Sequence, residues 1–431
     1  SAVDSSSTGS SADGKDSIAI SLDSVSILNG TLVYRDSLTG MVEYIQKLNG
    51  TLSAKSLDGP FRSEGSLKVR GIAVAFQIAS GRKRDDGHMP VSLKAEIGDE
   101  LAQIGYEGKL LMLESGGIGS GTLRASGANL GAFLQAIDVT GPRAVTEEKF
   151  FLKSAAAFSE NEIALSELQI RLGETQATGA ITYALGTPAN VDVALTINRF
   201  DLDKIAANGN AAHGDENVPA ASNNNNDSDT RAGNDDDGAT VTAATAAAAK
   251  EYMAMLPQDL AASIDLEVQT LRYLGNVVHQ AHAVMSLDEG VITIEQASAL
   301  LPGGSNIALF GQLTPADSGP YFEGQLEVAS DDARAVISWL DLMNVSDIPS
   351  DRLRSFSLTT AINIDQQGGE LSALNLRIDA SRLVGNANFK LGTHNQINAD
   401  LHLDQLNADA YLIPKSARSN SAAAGDTATG N

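Results

Sequence analysis

Chemistry requires convergent reactive side chains, and this chain offers few. It contains no cysteine, which excludes disulfide frameworks, thiolate metal sites and cysteine nucleophiles. Among its 6 histidines the one close pair is His279 and His282. Two side chains three positions apart on a strand face opposite sides, so the spacing is poor for joint metal ligation. On a helix the two would share a face, but no nearby carboxylate completes a ligand set. No Gly-x-Ser-x-Gly elbow of convincing context presents a nucleophile. The glycine-rich run SGGIGSGTL at 115–123 lacks the lysine of a phosphate-binding loop and is flanked by strand-like sequence; it reads as a hairpin connection. Asp235, Asp236 and Asp237 lack the spaced ligands and distal glutamate of a calcium loop and read as solvated linker. Asp201 and Asp203 share one strand face, as a glycosidase pair might require, yet they suit a capping or turn role. No catalytic residue, metal or cofactor is expected, and the chain reads as non-enzymatic.

Composition points the same way. The formal charge of -24, from 54 acidic against 30 basic residues, would repel a phosphate backbone, so nucleic acid is not an expected partner. Anionic lipid surfaces are equally poor docking sites for so acidic a body, and any lipid contact should run through apolar surface. Hydrophobic residues reach 42% but aromatics only 5%, leaving the packing to small and aliphatic side chains. No run of about 18 strongly apolar residues is present, so no membrane-spanning helix is expected. The chain starts at Ser1 without a charged and apolar leader, so it looks like a mature chain or a fragment whose membrane anchor lies elsewhere.

The elements that position the remaining residues follow from composition and period. Residues 1–16, rich in Ser, Gly and Asp, have almost nothing to bury and are expected to be a disordered leader. The stretch 208–240, with its Asn and Asp runs, is expected to be a disordered linker, and 415–431 a disordered tail. The linker would separate a first β-segment, 17–207, from a second, 241–414. Within both, apolar residues recur at every second position, the period that places side chains on one face of a strand. Clear rows are Val191, Val193, Leu195 and Ile197; Ile264, Leu266 and Val268; Leu374, Leu376 and Ile378; and Leu401 and Leu403, with Ile397 and Ala399 leading into them. Asp192, Thr196, Asp265, Glu267, Asn375, Arg377, Asp400 and His402 fill the alternate positions, so one face is wet and the other oily.

A recurring unit places Gly before one further residue and a small or apolar one, at Gly65, Gly108, Gly121, Gly179, Gly311, Gly324 and Gly385. Glycine inside a strand permits a bend or a close backbone approach; in a turn it would need no such explanation. The recurrence favours a repeated architecture. Three stretches break the strand pattern: 128–137, the Ala-rich segment near 243–256 that Pro257 ends, and 331–343. In the last, Ser330 or Asp331 can cap a helix whose Val336, Trp339, Leu340 and Met343 share a face, with the single Trp as anchor on the sheet.

Several phrases resemble the AsmA family. ILNGTLVYRDSLTG, followed by LNGTLSAKSLDGPFRSEGSLKVRG, is similar to that family's Asn-Gly strand start, Tyr-x-Asp turn and Gly-Pro-Phe hairpin. LPGGSNIALFGQL at 301–313 resembles its Leu-Pro-Gly-Gly strand start. NRFDLDKI at 198–205 and LHLDQLNADAYLIP at 401–414 resemble its closing Leu-Asp and Tyr-Leu segments. The resemblance covers most of 17–205 and 257–414, and the N-terminal transmembrane helix of full-length members is missing from this sequence.

What the resemblance implies is an elongated, curved groove of repeating antiparallel β-units, TamB-like, in the bacterial periplasm. It would be tethered to the inner membrane through an anchor missing here. The implied role is binding or conducting phospholipid toward the outer membrane in support of outer-membrane assembly, with envelope assembly proteins as possible partners. The competing expectation is a chaperone-like or structural periplasmic protein that engages outer-membrane strands along its sheet edges. The expected fold class is thus all-β with a few short helices, in two parts joined by a disordered linker, and the lipid would lie on the alternating rows named above.

Overall fold

The computed structural model describes residues 22–35, 42–56, 58–98, 100–113, 116–136, 148–204, 259–316, 319–346, 348–391 and 395–411. The expected leader 1–16, linker 208–240, helix near 243–256, tail 415–431 and acidic run Asp235–Asp237 lie outside these residues. The chain is all-β with a few short helices and divides into two compact units, Ser1–Gly121 and Thr122–Asn431.

In the first unit, β1 (Leu22–Arg35), β2 (Val42–Ala54), β3 (Phe61–Val69), β4 (Ile72–Ser80), β5 (His88–Ile97) and β6 (Ala102–Leu113) form an antiparallel meander in which each strand pairs with the next. Its turns have local causes. Arg70 and Gly71 both take positive φ, 50° and 83°, the geometry whose twist matches the flanking strands of a two-residue hairpin. The strand β7 (Gly116–Gly127) contains the boundary between the units. The glycine-rich run therefore lies largely in a strand, not in a hairpin connection as its composition suggested.

The second unit continues with α1 (Leu130–Ala136), β8 (Phe150–Phe158), β9 (Glu162–Leu172), β10 (Thr175–Ala184) and β11 (Ala189–Asp201). After the undescribed stretch come β12 (Leu260–Tyr273), β13 (Asn276–Asp288), β14 (Val291–Leu301), β15 (Ser305–Thr314) and β16 (Tyr321–Ser330). Then follow α2 (Ala333–Trp339), β17 (Phe356–Asp365), β18 (Gly368–Ile378), β19 (Ser381–Lys390), β20 (Gln396–Leu403) and a short 3-10 turn, Ala408–Tyr411. From β8 to β11 and from β12 to β20 each strand pairs antiparallel with its successor. One ladder departs from that order: β11 and β12 run parallel, with Val193 beside Ile264 and Leu195 beside Leu266. Parallel neighbours need a crossover instead of a hairpin, and β11 and β12 are far apart in the sequence. The strands on either side of the expected linker therefore belong to one ladder.

Within this unit β17–β20 repeat β8–β11 without an insertion. Phe150, Leu152, Leu168, Gly179 and Leu195 correspond at constant spacing to Phe356, Leu358, Leu374, Gly385 and Leu401. The hydrogen bonds repeat with them. The Leu185 and Leu391 amides donate to the Asn161 and Gln367 carbonyls at 2.7 Å each. The Gln176 and Arg382 amides donate to the side-chain oxygens of Asn198 and Asp404 at 2.8 Å each. Even the bulges coincide. Ser154 and Thr360, each 1% exposed, sit at register breaks and donate their hydroxyls to the carbonyls of Ser166 (2.8 Å) and Ser372 (3.1 Å). A buried hydroxyl without such a partner would cost about 1–3 kcal/mol, so these bonds fix where the ladder slips.

The expected short helix over 128–137 is found as α1, and the one expected over 331–343 is shorter than its pattern suggests. The start of α1 is held by the Asn129 side chain, which accepts the Ala132 amide at 2.8 Å. Ahead of α2 the N-cap is Asp332 rather than Ser330 or Asp331, and its side chain makes no capping bond; Ser330 instead accepts the Asp332 amide at 3.1 Å. The helix stops at Trp339 because Asp341 turns left-handed, φ 50°, leaving Met343 exposed. Trp339 nonetheless anchors it: the indole meets Tyr273 edge-on at 6.1 Å and donates to the Tyr273 carbonyl at 3.1 Å.

Candidate functional site: an uncovered apolar sheet face

The register of the second unit lines the aliphatic positions into continuous rows. One runs Ile181, Val193, Ile264, Met285, Ile294, Gly311, Gly324, Ile362, Leu371, Ala387 and Ala399, crossing every strand from β10 to β20 through apolar residues or glycine alone. One residue along, the matching row reads Thr182, Asp192, Ser263, Ser286, Thr293, Gln312, Glu323, Asn363, Glu370, Asn388 and Asn398, polar throughout. Because strand side chains alternate strictly, a slip by one residue would exchange the two faces; the purity of both rows fixes the register.

The sequence-derived lipid positions fall on this apolar face. Across the parallel ladder Val191, Val193, Leu195 and Ile197 stand beside Ala262, Ile264, Leu266 and Val268. On the later strands Leu358, Leu376, Leu383 and Leu403 form a second row, and Leu374 meets Gly385, which meets Leu401. Ile378 ends β18 opposite Phe356. Of these candidate positions only Val268, 6% exposed, is buried; the others are half-buried, or exposed as Leu401 and Leu403 are at 45% and 41%. No second layer seals the row among the described residues.

Sequence reasoning left open why glycines interrupt so many strands. All the recurrent glycines lie mid-strand, and several face one another. A Cβ on Gly65 would lie 2.7 Å from the Gly50 Cα, one on Gly121 2.6 Å from the Gly108 Cα, and one on Gly311 2.7 Å from the Gly324 Cα. Aromatic rings fill the vacated space. The Phe322 ring lies 2.9 Å from the Cβ position of Gly311 and 2.7 Å from that of Gly324, and the Phe389 ring 2.9 Å from that of Gly369. The first unit repeats the device, with the Phe76 ring 3.7 Å from the Cβ position of Gly50. A ring laid over glycine covers the thin spot in the sheet. Phe76, Phe322 and Phe389 thus fill the sheet where glycine leaves it thin.

A cavity of about 220 Å³ opens at one end of the second unit, lined by Leu353, Leu376, Ile378, Ser381, Leu383, Leu403, Leu406 and Tyr411 and almost wholly apolar. It is smaller than the roughly 300–1,000 Å³ of ordinary small-molecule pockets, and three of the expected lipid positions line it. Asp379 builds its rim. Its carboxylate accepts the amides of Leu353 (3.0 Å), Arg354 (3.0 Å) and Ser355 (3.2 Å) and the Tyr411 hydroxyl (2.8 Å). Burial pushes its pKa up, but these donors together outweigh burial and hold it below the ordinary carboxylate range. The Tyr411 hydroxyl is pushed above its ordinary range, first by burial and then by the carboxylate it bonds.

The acidic and histidine candidates make local hydrogen bonds. Asp203 accepts the amides of Leu274 (2.6 Å) and Gly275 (2.9 Å) in the β12–β13 turn, and Asp201 accepts the Lys204 amide at 3.2 Å. His282 pairs with Asp265 at 3.0 Å on the polar side of the sheet, while a bulge at Gln280, φ 49°, separates it from His279. Among the described residues no group of three or more His, Asp or Glu side chains is placed to hold a metal, and no helix is long and apolar enough to cross a membrane.

No family model matches the chain, and comparison with the curated proteins and with the solved structures finds no match.

Proposed function

We propose that the chain is a non-enzymatic lipid-binding protein of the AsmA-like kind, which holds phospholipid acyl chains along the apolar face of its second unit. The observation that carries this reading is the unbroken row from Ile181 to Ala399, apolar or glycine at every strand and, among the described residues, not sealed by a second layer. Each CH₂ moved from water onto such a surface contributes about 0.8 kcal/mol, so a sixteen-carbon chain laid along it would gain on the order of 10 kcal/mol. No polar site is then needed to hold a lipid. The motif resemblance extends the proposal to the bacterial periplasm, with transport between inner and outer membranes in support of outer-membrane assembly.

Native mass spectrometry of the purified chain tests the proposal directly: phospholipid should co-purify. Replacing Leu195 and Leu376 together by Glu should abolish photocrosslinking to an acyl-chain probe while the far-UV spectrum is retained. Undiminished crosslinking in the folded double variant would refute lipid binding on this face.

A further inference from the structure

Within the repeat of the second unit the two closing strands differ in their neighbours among the described residues. The strand β20 is the counterpart of β11: Val191, Leu195 and Ile197 correspond to Ile397, Leu401 and Leu403. On its far side β11 carries a parallel strand, β12, whose alternate residues Ala262, Ile264, Leu266 and Val268 extend the apolar rows. Among the described residues β20 pairs on one side only, with β19. The consequence is visible in exposure: Val191, Leu195 and Ile197 are half-buried, whereas Ile397, Leu401 and Leu403 are 79%, 45% and 41% exposed.

The correspondence extends to the residue that grips the added strand. Asp203 holds the turn after β12 through the Leu274 and Gly275 amides. Its counterpart, Asp409, lies in the 3-10 turn after β20 and makes no hydrogen bond or ion pair with any described residue. Among the described residues, a one-sided ladder edge, an aliphatic row that ends at its last strand and a turn carboxylate without a partner occur together, where the first copy has all three engaged.

We infer that the outer edge of β20 receives, in parallel, the leading strand of a β-hairpin from another polypeptide. That strand has aliphatic residues at alternate positions with polar or acidic residues between, like β12, and Asp409 accepts the amides of its turn. Backbone hydrogen bonds supply the affinity of such strand addition, and the alternate side chains set its register. A second copy using the same edge on itself would pair β20 with β20, and the β12-like partner is preferred because the register of β12 against β11 is already seen in this molecule.

The full chain has no cysteine, which permits a register-specific test. Variants Asn398→Cys and His402→Cys are mixed with a synthetic hairpin of residues 260–288 carrying, in place of Ser263 or Glu267, a cysteine activated as its 2-thiopyridyl disulfide, so that thiol–disulfide exchange joins the two and releases the thiopyridone. Asp192 stands beside Ser263 and Thr196 beside Glu267, so position 398 should join 263 and position 402 should join 267, each at least tenfold faster than the crossed combinations. Faster crossed reaction would mean antiparallel addition, equal or absent reaction would mean no site, and preferential joining of two copies of the protein would mean self-association; each overturns the inference. Asp409→Ala should slow the matched reaction about tenfold without altering the free protein's melting temperature, and an unchanged rate would remove the carboxylate from the site.

Discussion

The strand sets β8–β11 and β17–β20 are built to one plan, yet among the described residues the last strand of the first is clamped between two neighbours and the last strand of the second is held on one side. The same side chains are therefore half-hidden in one copy and open in the other. Exposure here is a property of neighbours more than of sequence. The comparison also separates what a strand needs in order to fold from what it offers for binding: β20 keeps its register against β19 through eight pairs, Leu383 with Leu403 to Lys390 with Gln396, without help from its outer edge.

The sharpest way to break the comparison is to overfill both copies at the same place. A Cβ on Gly179 would collide with the Ala194 carbonyl, and one on Gly385 with the Asp400 carbonyl, at φ 154° and 151° respectively. The obstructing strand β11 cannot yield, because β12 holds its other side, whereas β20 can shift outward. Overpacking costs about 1–3 kcal/mol, so Gly179→Ala should fall near 3 kcal/mol and Gly385→Ala near 1 kcal/mol by urea denaturation. Equal losses would mean that the free edge gives no relief.

An acid titration sharpens the contrast, because the copies differ at one turn: Asp379 in the second corresponds to Gly173 in the first. The Asp379 carboxylate is held below its ordinary range by the Tyr411 hydroxyl and three backbone amides against an opposing burial effect. Its folded pKa is depressed, so its contribution is present above the ordinary carboxylate range and lost as pH falls through the folded value. Asp379→Asn should cost about 1–2 kcal/mol near neutrality, the scale of lost hydrogen bonds to a charged group, and the difference from the native chain should vanish in strong acid. Hydrogen exchange at low pH should show residues 353–355 and 408–411 opening before their counterparts in the first copy.

The smallest effect concerns the paired aspartates. Asp203→Ala removes two backbone partners and should cost about 1 kcal/mol, whereas Asp409→Ala should leave the isolated chain within about 0.5 kcal/mol in thermal melts. A comparable loss for both would mean that Asp409 already supports the fold.

Much of this architecture was legible in the sequence because strand periodicity is local: Val191 to Ile197 and Ile264 to Val268 declare their faces without reference to any partner. That those segments lie side by side was not legible, since β11 and β12 are separated by the long stretch after residue 204 and parallel pairing leaves no hairpin signature. The glycine spacing indicated repetition, but the exact correspondence of β8–β11 with β17–β20 lies in degenerate aliphatic positions that only the shared bulges and hydrogen bonds make plain. The bulges were hidden for a related reason. Their left-handed residues are Glu167, Gln280 and Ala373, side-chain types with no preference for that conformation, held there by the surrounding ladder. The helix over 331–343 was overextended because its apolar spacing continues past Asp341, where the backbone turns away.

The parallel joint between β11 and β12 keeps Val193 level with Ile264, so the end of one block hands its oily line to the next without a step. A body assembled this way can be lengthened or shortened by whole blocks, each added strand advancing the line by about 4.8 Å, while no existing contact has to be redesigned. Reach, in such a molecule, is a quantity that gene duplication can adjust like the rungs of a ladder.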